Sequence, residues 1–127
     1  METLNSLISD IKKTKDYVKT VLHSNDEFTQ EDMEDHIRRC VKISKNEKSL
    51  VMMDMREINS ITTDAVRFSI NHKKLIKLTK ALAIITVSPT LRIQLVLTAV
   101  LNLKKSPYPI NIFSNEENAL EWLKKYE

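Results

Sequence analysis

At 127 residues, 42% apolar and 29% charged, the chain has the size and composition of one globular domain, 1–127, able to bury a core without disulfides. Its net charge of +3 is too small to imply nucleic acid, no apolar run reaches the length of a membrane span, and the absence of glycine excludes phosphate-cradling loops. A lone cysteine, Cys40, excludes an internal disulfide, and the scattered His23, His36 and His72 lack metal-ligand spacing, so neither a metal nor a cofactor is expected.

Glu2 and Asn5 stand where a signal peptide would need a basic start, so the chain reads as cytoplasmic. Residues Leu4 to Lys13 alternate only in part. With the turn Thr14-Lys15-Asp16 and the alternating Tyr17 to Leu22 they predict a β-hairpin, with helix as the alternative for the first arm. Thr29 and Asp32 resemble a capping box, opening a helix that repeats Met33, Ile37, Cys40, Val41 and Ile43 and ends near Lys45-Asn46. On it Cys40 reads as a small buried hydrophobe.

Leu50 to Met53 is an apolar run closed by Asp54, the pattern of a buried strand reaching the carboxyl edge of a sheet. After a turn, Thr62 or Thr63 caps a helix over 63–77 whose buried stripe is Ala65, Phe68, His72, Leu75 and Ile76. Ala81 to Val87 is a second buried strand. Ser88 then caps a helix that starts at Pro89 and runs to about Leu103.

That helix is apolar around most of its circumference, with only Gln94, Thr98 and Asn102 forming a polar stripe. Three readings stay open for it: a homodimer surface through Ile93, Leu97, Val100 and Leu101, plain core, or the wall of an apolar-ligand pocket. Ser106 to Pro109 turns into a strand, Ile110 to Phe113. Ser114 with Glu117 then forms a capping box for a last helix burying Ala119, Leu120, Trp122 and Leu123. The order ββαβαβαβα predicts an α/β fold: a mixed, mostly parallel sheet with helices and an antiparallel edge.

With that order in hand, the chain resembles the STAS family, the fold of anti-sigma-factor antagonists such as SpoIIAA. Val51 to Val66 resembles the family's strand, turn and helix start, with Thr62-Thr63-Asp64-Ala65 in place of Asp-Ser-Ser-Gly. Ile85-Thr86-Val87-Ser88-Pro89 resembles the strand and Ser-Pro opening its third helix. Phe113 to Leu123, with its Ala-Leu-Glu-Trp-Leu ending, is similar to an uncharacterised SpoIIAA-like bacterial branch. The resemblance implies that Thr63 occupies the position of the serine phosphorylated in the antagonists, where phosphate switches the binding of a partner protein.

Functionally the sequence points to a non-enzymatic interaction module, with an unknown protein partner meeting Arg56, Asn59, Thr62, Thr63 and Asp64 just outside the strand ends. A small-molecule or lipid carrier using helix 89–103 is the alternative. No catalytic residues are assigned: Asp54 and Asp64 are the acids nearest the strand edge, and no nucleophile-base pair accompanies them. Between Thr62 and Phe113 eight Lys or Arg face one acid, Asp64, a run that reads as a solvated face because no aromatics interleave with it.

Overall fold

The computed structural model describes residues 2–23, 27–101 and 107–127, with side chains of the fourth helix described through Val96. The chain runs β1 (Glu2–Asn5), β2 (Ser9–Lys13), β3 (Val18–Leu22), β4 (Glu27–Phe28), α1 (Gln30–Ser44), β5 (Ser49–Asp54), β6 (Ser60–Ile61) and α2 (Thr63–Ile70). It continues through α3 (Lys73–Leu78), β7 (Thr79–Ile85), α4 (Pro89–Leu101), β8 (Ile110–Phe113) and α5 (Glu116–Leu123), with a short 3₁₀ turn at Lys124–Tyr126. Six strands form one sheet in the order β1-β2-β3-β5-β7-β8, antiparallel across the first three and parallel thereafter. This is the mixed, mostly parallel α/β sheet expected from the alternation of strand and helix. No helix among the described residues is long and apolar enough to cross a membrane.

Because side chains alternate across a strand, each central strand feeds two cores. Met53, Leu82 and Ile84 join Phe28, Met33, Ile37, Ile61, Val66, Leu91 and Leu95 in the larger one, beneath α1, α2 and α4. Leu50, Met52, Ala81, Ala83 and Ile85 face the other way and bury Ala119 and Leu123 of α5. The two small alanines of β7 let α5 lie close to the sheet. Its rim is an aromatic run, Phe113 to Trp122 at 5.7 Å and Trp122 to Tyr126 at 5.0 Å between centroids.

Four expectations from the sequence are corrected. The first hairpin arm over 4–13 is two strands, since the Ser6 hydroxyl accepts from the amides of Ile8 and Ser9 and reverses the chain there. The helix expected over 63–77 breaks at Asn71-His72, where His72 becomes the N-cap of α3 and its Nδ1 accepts from Leu75 N at 3.4 Å. His72 still meets Phe68 edge to face at 5.5 Å, which is why the two shared an apparent stripe. The strand expected from Ala81 to Val87 lies two residues earlier, and Val87 is exposed. The last helix is capped by Asn115, which accepts from Asn118 N at 2.8 Å, not by Ser114.

Other local expectations stand. Thr29 accepts from Asp32 N while Asp32 accepts from Thr29 N, a complete capping box. Ser88 accepts from Leu91 N at 3.2 Å. In a chain without glycine, the left-handed C-cap of α1 falls to Lys45 (φ 51°), followed by Asn46 (φ 64°).

Candidate functional site

Asp54, the last residue of β5, sits at the carboxyl edge of the sheet with its side chain only 7% exposed. Its carboxylate accepts from the Arg56 backbone at 3.0 Å and from the guanidinium at 3.0 Å (Nε) and 2.6 Å (Nη2). Burial raises the pKa of this carboxyl, but the donors of Arg56 outweigh burial and hold it below its ordinary value. The loop leaving β5 is therefore clamped at its first turn. Ile58 is buried behind it, while Arg56, Glu57 and Asn59 face solvent.

A second tie holds the loop from the hairpin side. His23, just past β3, bonds Asp10 of β2 at 2.9 Å through Nε2 and faces Glu57 at 3.4 Å through Nδ1. The hydrogen bond to Asp10, with the added pull of Glu57, raises the His23 pKa above its ordinary 6.5. A raised histidine adds stability that is fully present below its unfolded value and is lost as pH rises through the folded value. Stability is thus expected to decline with pH just above 6.5, and His23→Gln to flatten that decline in urea titrations run across the interval.

The two-residue strands β4 and β6 pair in parallel, Glu27 with Ser60 and Phe28 with Ile61, and Thr62 N donates to Phe28 O at 3.0 Å. Each is followed at once by a threonine that caps a helix: Thr29 for α1 and Thr62 for α2. The two helices therefore start side by side. Phe28 and Ile61 precede their caps and share the core with Met33 and Val66, the arrangement of two hydrophobic staples. Gln94 of α4 donates to Ile61 O from the other side.

This ribbon decides between the two threonines. Thr62 Oγ1 accepts from Ala65 N at 3.0 Å and is the cap. Thr63, the first residue inside α2, is exposed, and among the described residues its hydroxyl has no hydrogen-bond partner. Thr62→Ala should cost about 1 kcal/mol in urea unfolding and Thr63→Ala under about 0.5 kcal/mol. Asp64 is exposed beside Thr63, and Arg67 lies one turn further along α2. Arg56, Asn59, Thr62, Thr63 and Asp64 thus occupy one continuous edge, from the clamp on β5 to the first turn of α2.

On α4, Leu91 and Leu95 are core, whereas Ile93 is 59% and Val96 47% exposed. Val87, just before α4, is exposed as well. The side chains of Leu97, Val100 and Leu101 lie outside the described residues.

An enclosed space lies elsewhere. A cavity of about 50 Å³ lies between the sheet and α1 and α3, lined in part by His36, Cys40, Ser69, Leu75, Leu78 and Tyr108. Among the described residues none of its lining comes from α4. His36 is fully buried, with Nδ1 on Ser9 Oγ at 2.8 Å and Nε2 on Cys40 Sγ at 3.4 Å. Burial pushes the imidazole down to about 3 and the thiol up to about 12. Both groups are neutral at pH 7: the His36–Ser9 bond ties α1 to β2, and Cys40 carries no thiolate. Cys40 is half-buried at the cavity wall, more open than the sequence pattern predicts.

Sequence reasoning missed β4, β6, the Asp10–His23–Glu57 tie and the break at Asn71. One signal was available. An apolar residue followed by threonine, Phe28-Thr29 and Ile61-Thr62, precedes both helices.

The family model described as Domain of unknown function (DUF7793) matches residues 11–127. Among solved structures, the crystal structure of an uncharacterized protein from the DUF3478 family with a SpoIIAA-like fold, from Shewanella loihica PV-4, matches at a TM-score of 0.60. The two share 21% sequence identity over 97% of this chain and 99% of that one, a likeness of fold. Comparison with the curated proteins gives no match.

Proposed function

The chain belongs to the DUF7793 family, and from that premise and its SpoIIAA-like fold we propose that it is a non-enzymatic STAS-type regulatory module that binds another protein. The observation that carries this reading is the division of labour at the start of α2. Thr62 does the capping, and Thr63 presents a hydroxyl to solvent on a first turn held in place by the β4–β6 ribbon and the Asp54–Arg56 clamp. A rigid edge with an accessible hydroxyl suits recognition that one phosphoryl group can alter. A phosphate on Thr63 meets the positive end of the α2 dipole and Arg67 at i+4, opposed by Asp64. The partner surface is Arg56, Asn59, Thr62, Thr63 and Asp64.

The module works in the cytoplasm as a homodimer through the exposed side of α4. Ile93 and Val96 already stand outside the core, so Ile93→Asp should leave a folded monomer. The carrier reading ranks behind, because about 50 Å³ holds one or two waters and no acyl chain.

The test has two arms. Thr63→Glu and Thr63→Ala, immobilised beside wild type, are compared for what each captures from a lysate. A protein lost or gained with Glu and unchanged with Ala supports the switch; identical capture by all three ends it. Native mass spectrometry of wild type and Ile93→Asp decides the dimer, and a monomeric wild type removes it.

A further inference from the structure

The break between α2 and α3 opens a groove of about 470 Å³ along the start of α1, lined by Gln30, Asp64, Arg67, Phe68, His72 and Lys73, with Asn71 at the break itself. Among its lining side chains Arg67 and Lys73 outnumber the one acid, Asp64. Arg67, Lys73, Lys74 and Lys77 are exposed on two consecutive short helices, and among the described residues none of the four is in an ion pair. Lys13, Lys19, Arg38, Arg39, Lys45 and Arg56 have carboxylate partners, but among the described residues exposed cations elsewhere, such as Lys12, Lys42 and Lys48, also lack one, so it is the clustering of these four that distinguishes the groove. After Asp64 the sequence holds no carboxylate until Glu116, so Asp64 is the one acid on these two helices against four cations.

We propose that this groove is the docking site for an acidic segment of the partner protein, a reading that rests on the interaction module above and extends its surface from Asp64 along α2 and α3. The chemistry fits a peptide. Arg67 offers a planar fork for a carboxylate and Lys73 a point charge beside it, while Gln30 lies within the groove as an amide able to meet a peptide backbone. Phe68 is half-buried with its ring edge to face on His72, so it supplies apolar floor and is not free to stack a base as a single-stranded nucleic acid requires. Asp64, the one acid in the groove, sets polarity. The acidic stretch lies toward Lys73, and the end of the partner that meets Asp64 and Thr63 is neutral or basic. A phosphate on Thr63 would then compete with the acidic segment for Arg67, which lies one helical turn away.

The experiment measures binding of a dye-labelled decapeptide of mixed Glu and Ala to the full chain by fluorescence anisotropy, at low and at physiological salt. The groove variant is Arg67→Glu with Lys73→Glu. The control carries the same change of charge at Lys124→Glu with Lys125→Glu, beyond α5 on the opposite side of the sheet. All the substituted residues are exposed, and circular dichroism checks that each variant is folded. Support is binding that weakens with salt, is lost about tenfold or more in the groove variant, and persists in the control. No binding at low salt, equal loss in both variants, or an oligonucleotide of the same charge binding as tightly through the same residues overturns the proposal. If the peptide fails while Thr63→Glu still changes capture, the acidic groove falls and the interaction module stands. The reverse pattern removes the Thr63 switch and leaves the groove.

Discussion

Phe28→Ala is expected to destabilise the protein by about 4 kcal/mol, a large share of the roughly 5–15 kcal/mol of an ordinary domain. Phe28 has no exposed surface and sits at the centre of the larger core with Met33, Ile37 and Ile61. Truncation removes the apolar burial and leaves a void that the paired β4 and β6 backbones cannot close. The loss also reaches function: the backbone carbonyl of residue 28 still accepts from Thr62 N in the variant, but the side chain that seats β4 in the core, and so keeps the α1 and α2 caps in step, is gone. Urea unfolding measures the total. Hydrogen exchange at the Thr62 and Ala65 amides reports the local part, and both should speed beyond what global destabilisation explains. Phe28→Leu, which keeps most of the volume, should cost about 1.5 kcal/mol or less. A loss below about 1 kcal/mol for the alanine variant would show that the ribbon is ornament.

Asp54→Ala should cost about 2 kcal/mol and loosen the edge from Arg56 to Asp64. The carboxylate is nearly buried, while the Arg56 side chain is 39% exposed and can turn to water when its partner is removed, so the cost stays below that of stranding a fully buried charge. Arg56→Ala is the harsher way to break the pair, since it leaves the carboxylate buried with the loop amide still aimed at it. The coupling energy from the double-mutant cycle isolates the clamp from losses of packing. A carboxyl held low in the folded state adds stability present above its unfolded value of 3.8, which disappears as pH falls through the folded value. Asp54→Asn, of the same shape but uncharged, should remove the Asp54 share of that acid-side slope, whereas His23→Gln acts at higher pH, above 6.5. A coupling energy near zero with an unchanged acid slope would remove Asp54–Arg56 as the anchor of the loop.

Much of this was legible because periodicity, caps and buried strands are local. The apolar run Leu50 to Met53 ending at Asp54, the Thr29–Asp32 box, Ser88-Pro89 and the short strand before the last helix are each written within a few neighbouring residues. Together they set the mixed sheet and its resemblance to the STAS fold. Features that depend on distant pairs were not legible. His72 sits on an apolar spacing with Phe68 whether the helix continues or breaks, so spacing could not reveal the break, which goes with the packing of α3 against α1.

By itself the sequence determined the α/β class, the main strands and helices and the parallel core of the sheet, because each follows from side-chain pattern over one or two turns. The tertiary structure alone decided that Thr62 and not Thr63 caps α2, that His23 ties Asp10 to Glu57, and that four lysines and arginines of α2 and α3 stand beside a groove without ion-pair partners among the described residues. Those outcomes depend on which strands pair across the sheet. Pairing between Phe28 and Ile61, thirty-odd residues apart, leaves no local trace in either segment beyond a hydrophobic residue before a threonine.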